Sequence, residues 1–114
     1  MEKKRVLVEF GMGTSLRRED YTEAAARAIR DALWHNSVNM AELFGFEKTD
    51  MIVDVEVAVQ KPDQVDTSQL AKDFPYGNIS FAVKHGGLDI EKPHGGTTVI
   101  ANVAIAVSFM MEAA

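Results

Sequence analysis

Apolar and polar residues alternate from Arg5 to Phe10, which predicts a strand with Val6, Val8 and Phe10 on one face. Asp20-Tyr21-Thr22-Glu23 then has the spacing of a helix capping box. Ala25, Ala28, Ile29, Ala32 and Leu33 follow at helical intervals. A face so rich in alanine predicts a helix lying close against a sheet. Trp34-His35-Asn36-Ser37 is expected to close that helix, with a shorter helical piece from Asn39 to Phe44 stopped at Gly45.

The clearest strand runs from Met51 to Val59. Val53, Val55, Val57 and Val59 face one way, while Asp54, Glu56 and Gln60 face the other and predict a wet side. Lys61-Pro62-Asp63 ends it. A short polar helix is expected from Gln64 to Asp73, capped by Asp66 or Thr67, then a turn at Phe74-Pro75-Tyr76-Gly77. Asn78 to Lys84 alternates again, burying Ile79, Phe81 and Val83. A glycine-rich loop from His85 to Gly96 leads to a last strand, roughly Thr97 to Met110.

That last strand has two apolar faces. Val99, Ala101, Val103, Ile105, Val107 and Phe109 form one; Ile100, Asn102, Ala104, Ala106 and Ser108 form the other. Such a strand belongs in the middle of a sheet, covered on both sides. The acidic outer face of Met51–Val59 limits that cover, so part of it is expected from another subunit. The expected fold is α+β: a two-layer sandwich of about four strands with two main helices on one face, in the order β-α-β-α-β-β. All 114 residues fit one domain.

Composition narrows the partners. Twelve basic against seventeen acidic residues give a net charge of -5, which argues against nucleic acid. There are no cysteines, so disulfides, thiolate nucleophiles and cysteine zinc sites are excluded. The early apolar run Val6-Leu7-Val8 is too short for a signal or a membrane span. The expectation is a cytoplasmic homo-oligomer with no membrane, metal or cofactor requirement.

Two glycine segments attract chemistry. In Gly11-Met12-Gly13-Thr14-Ser15 the glycines predict a turn between strand and helix, with exposed backbone N–H groups and two hydroxyls. It lacks the Gly-Lys-Ser/Thr of a phosphate loop and the third glycine of a dinucleotide fingerprint. Glu19 and Asp20 would repel an anion there, and Arg17 and Arg18 offset them. A ligand-contacting loop and a plain turn are both open readings. Lys84-His85-Gly86-Gly87 sets a lysine and an imidazole beside flexible backbone at a strand end. Meeting Ser15 or Thr14 in space, Lys84 and His85 would supply base, acid and nucleophile for a hydrolysis; the alternative is a solvated hairpin loop.

His35 suits the negative end of the helix dipole. His35, His85 and His94 have no close ligand spacing, so no metal site is expected. Asn102 interrupts an apolar face, which predicts an interface hydrogen bond or a site contact.

Over nearly its full length the chain resembles a small bacterial family of conserved hypothetical proteins first catalogued from a Listeria genome. The resemblance is carried by Val8-Glu9-Phe10-Gly11-Met12-Gly13-Thr14, His35, Ser37, Val57-Ala58-Val59, Pro62, Val65-Asp66, Pro75, Gly77, Gly86-Gly87 and Ala101-Asn102. Lys84 and His85 fall outside that pattern. The family implies a fold and no assigned activity. In layout the chain is also similar to single domains of ring-opening amidohydrolases acting on cyanuric acid and barbiturate, without their Ser-Gly-Gly motif. That likeness implies a serine–lysine pair assembled between chains.

The expected function is therefore small-molecule binding at a subunit interface, with hydrolysis of small cyclic amides as its enzymatic form. Its catalytic candidates are Ser15, Lys84 and His85. Its ligand-binding candidates are Gly11, Gly13, Thr14, His35, Gly86, Gly87 and Asn102. The alternative is a non-catalytic metabolite-binding or assembly protein.

Overall fold

The computed structural model describes residues 1–34, 50–74 and 77–112. The helical piece expected at 39–44 and the segments 35–37 and 75–76 lie outside them. The elements are β1 (Glu2–Ser15), α1 (Tyr21–Trp34), β2 (Ile52–Val59), α2 (Thr67–Leu70), β3 (Asn78–His85), β4 (Leu88–Glu91) and β5 (Thr97–Met111). The fold is α+β, as expected, with a mixed five-stranded sheet in place of about four strands. The path across it is β1-β5-β2-β3, and β4 pairs with β5 beyond the end of β2. Among the described strands only β2 and β3 run parallel. Parallel neighbours need a crossover, which here passes through α2 and its flanking turns. Asp66 is the cap of α2, accepting from the Ser68 N–H at 3.0 Å. Its hydrogen bonds to Ser68, the largest influence, hold its carboxyl below the usual range.

The core lies between α1 and the inner sheet face. Val53, Val55, Val57 and Val59 are all buried there, as are Val99, Ala101, Val103 and Ile105 of β5. Burying a valine contributes about 1.5–3 kcal/mol. The exposed ion pairs Lys3–Asp54 and Lys84–Glu56 contribute little by comparison. Burial on the inner face therefore sets which way the sheet faces.

Three expectations are corrected. The segment Gly11–Ser15 is not a turn: β1 runs straight through it to Ser15, paired in unbroken register with β5 from Leu7 onward. The glycines serve close packing. A Cβ on Gly11 would stand 2.1 Å from the Ala28 carbonyl oxygen, and one on Gly13 2.3 Å from the Ala24 oxygen and the Ala28 nitrogen. Helix α1 thus lies directly on β1, its alanines against bare backbone. A bulge between Arg5 and Leu7 completes the arrangement. It also separates two residues expected on one face: Val6 packs into a small second cluster with Val107 and Phe109, while Phe10 stands on the outer face, 69% exposed.

The loop expected from His85 to Gly96 contains a strand. Leu88–Glu91 alternates in the β manner and pairs with Thr97–Ile100, because β5 is longer than β2 and leaves its first residues free for another partner.

Replacing Gly13 by alanine is expected to lift α1 off the sheet. Overpacking of this kind destabilises by about 1–3 kcal/mol, or more where only backbone can give way. Urea unfolding measures it; an unchanged midpoint would show that the helix slides away freely.

Candidate functional site

The polar groups gather where β1 hands over to α1. Ser15 is the last residue of β1 and only 3% exposed. Its Oγ accepts a hydrogen bond from the Asp20 N–H at 3.1 Å, and Asp20 Oδ1 accepts from the Glu23 N–H at 2.9 Å. Half of the capping box forms as expected. In the other half Ser15 takes the place of Glu23, whose carboxylate turns to Arg27 at 2.7 Å. Between them the chain turns through Glu19 in the left-handed region, at φ 51°.

Arg27 also donates to the Thr14 carbonyl at 2.7 Å, and Asp31 accepts from the Met12 N–H at 3.0 Å. Both backbone groups point outward from the free edge of β1. Helix side chains thus cap the end of an edge that would otherwise accept another strand. Because the Met12 N–H turns outward, those of Gly11 and Gly13 turn inward to β5. They are ladder groups and offer nothing to an oxyanion.

Beside this junction lies a part-buried tyrosine–carboxylate pair. In register, Ser15 faces Val99 across β5, and Val99 faces Asp89 on β4. Ser15 and Asp89 therefore share the inner face, two strands apart. Tyr21, at the first turn of α1, donates its hydroxyl to Asp89 Oδ2 in a short hydrogen bond, and Lys61 lies over its ring at 5.9 Å. Asp89 Oδ1 is buried without a partner among the described residues. Burial, then the hydrogen bond to Asp89 and the charges of Asp89 and Glu19, push the Tyr21 hydroxyl up to about 12.

Gly86 and Gly87 carry the chain from β3 across the end of β2 to β4. Gly86 donates to the Val59 carbonyl at 2.9 Å, and the Gln60 amide holds both glycine carbonyls. Gly87 has φ 63°, and a Cβ there would meet the Ile100 oxygen at 2.3 Å. Their place is explained by this strand switch.

The catalytic candidates do not meet within one chain. Lys84 is on β3, facing the outer side, and its ammonium pairs with Glu56 at 2.9 Å. Ser15 is on β1, facing inward, three strand spacings or about 14 Å away across the sheet. His85 is exposed at the end of β3. Thr14 stands on the outer face opposite Ile100, and Asn102 is exposed on that same face opposite Met12. His35 lies outside the described residues. Among those residues no cluster of histidines and carboxylates could hold a metal ion, and no helix is long and apolar enough to cross a membrane.

The model of the Lin0512 family of conserved hypothetical proteins matches residues 5–107. The chain belongs to the Lin0512 family. It is similar to an FtsZ-like protein of unknown function from Nostoc punctiforme, whose crystal structure superposes with a TM-score of 0.88. The two are 31% identical over 97% of this chain and 99% of that one. No curated protein matches it.

Exposed apolar side chains of the Lin0512 chain also gather on the outer sheet face. Phe10 and Met12 of β1 and Leu88 and Ile90 of β4 are exposed on either side of Ile100, Asn102, Ala104 and Ala106. Tyr21, Asp89 and Gln60 were missed by sequence reasoning, since Tyr21 reads as an ordinary first-turn residue and Asp89 lies in an expected loop. The alternation of Leu88, Asp89 and Ile90 was the available signal.

Tyr21→Phe should take from Asp89 Oδ2 its tyrosine donor, beside an Oδ1 already buried without a partner among the described residues, destabilising the protein by about 1–3 kcal/mol. The native hydroxyl titrates above the unfolded value of 10.0, so its contribution is complete below pH 10 and is lost as pH rises toward about 12. The stability gap between wild type and variant, followed by denaturant unfolding against pH, is expected to close across that window.

Proposed function

We propose that this chain is a self-associating protein whose outer sheet face is buried by a second copy of itself. The observation that carries the reading is the exposure of Phe10 (69%) and Met12 (55%) on a sheet face that no described element covers. Singly exposed apolar residues need no explanation, but several gathered on one side of a sheet do.

A second copy suits this face for three reasons. Ala104 and Ala106 are small enough to let two sheets approach closely. The carboxylates of β2 on this face are already paired, Asp54 with Lys3 and Glu56 with Lys84, which limits repulsion between two copies. Asn102 has both a donor and an acceptor and, near the middle of the face, could pair with its own symmetry mate. The capped end of the β1 edge favours association through the face over strand addition there.

The geometry supports assembly better than hydrolysis of cyclic amides. Ser15 is buried beneath the start of α1 with its hydroxyl engaged, and Lys84 is committed to Glu56 on the opposite face. A serine–lysine site would need chains to bring those two faces together, whereas a face-to-face dimer needs no rearrangement.

Phe10→Glu is expected to convert the assembly to monomers in sedimentation velocity while leaving the helix and sheet signals intact, because the ring contributes little to the core of one chain. A wild-type protein that sediments as a monomer at all concentrations would end this reading. Asn102→Leu should weaken association without unfolding the chain.

A further inference from the structure

A cleft of about 390 Å³ opens where β1 meets α1, lined by Ser15, Leu16, Arg17, Arg18, Glu23 and Arg27. Three arginines and one carboxylate line it. The neighbouring cleft between the helices is different: Asp20, Glu23 and Asp73 outnumber Arg30 and Lys72. In a chain of net charge -5, a cationic wall of this kind is a local feature and not an average one.

The arginines divide into two kinds. Arg27 is fixed by Glu23 and by the Thr14 carbonyl. Arg17 and Arg18 have no hydrogen-bond or ion-pair partner among the described residues. Lys92 adds a further cation at the rim, its ammonium donating to the Leu16 carbonyl. The end of α1 is already capped by Asp20, so the attraction for an anion comes from the side chains and not from the helix terminus.

We propose that this cleft binds a small oxyanion, the phosphate or carboxylate group of a metabolite. The guanidinium fork matches both groups in a bidentate manner. The volume suits a small molecule, and the acidic surroundings exclude a long polyanion such as nucleic acid. Arg27 acts as the fixed wall, and Arg17 and Arg18 close on the ligand from the loop. The site lies apart from the outer sheet face and is independent of self-association.

Isothermal titration of the full chain with pyrophosphate and with citrate, at constant ionic strength set by chloride, tests the proposal and distinguishes the two chemistries. Saturable binding of at least one probe is expected, weakened about tenfold or more for each arginine lost in Arg17→Ala and Arg18→Ala. Arg17→Lys with Arg18→Lys should bind more tightly than the double alanine variant and less tightly than wild type, because charge remains and the fork does not. Lys84→Ala, on the other face, should bind as wild type. Absence of binding by both probes would overturn the proposal, as would wild-type affinity in the double alanine variant. Both arginines are exposed, so an unchanged unfolding midpoint without ligand confirms that a loss of binding is not a loss of fold.

Discussion

The contact between bare backbone in β1 and the alanine face of α1 sets the terms for the rest of the molecule. At Gly11 and Gly13 there is no room even for a methyl group, because backbone atoms of α1 occupy the place where it would go. So close an approach brings Arg27 and Asp31 over the strand edge, within reach of the Thr14 carbonyl and the Met12 N–H. It also brings the start of the helix down onto the end of the same strand. Ser15, Asp20 and Glu23 then form a continuous hydrogen-bonded joint.

From this joint the polar surfaces follow. The helix covers the inner face and buries Ser15 beneath its first turn. Tyr21 is held over the sheet, where β4 supplies Asp89. The loop that must connect a strand end to a helix directly above it is short and turns sharply, and its arginines project beside the joint into the cleft. The opposite face receives no helix among the described residues. Its apolar part, on β1, β4 and β5, is left bare, while the carboxylates of β2 are paired, Glu56 with Lys84 of β3 and Asp54 with Lys3 near the start of β1.

Much of the fold was legible because burial imposes a period. Four valines at every second position of β2 have one buried side whatever the topology, and the alanines of α1 announced close packing before its partner was known. The two apolar faces of β5 placed it centrally, as the sheet order shows. The glycines of β1 carry two meanings in sequence. Gly11 and Gly13 sit two residues apart, which satisfies the period of a strand as well as the needs of a bend. Only the position of α1 separates those meanings. The same ambiguity hid β4, where glycines on both sides of a four-residue strand gave the segment the composition of a loop.

The sequence by itself determined the class of fold, the central place of β5, the buried faces of β2 and β5, and the capping of α1 and α2. These depend on local period and on which side chains leave water. The tertiary structure decided the fate of individual polar residues. Ser15 and Lys84 are both plausible reactants as residue types, yet one faces inward at β1 and the other outward at β3. Tyr21 and Asp89, far apart in the chain, meet because β5 places β4 and β1 on its two sides and α1 crosses above. Which distant groups meet depends on strand order and facing, and residue types alone do not encode them.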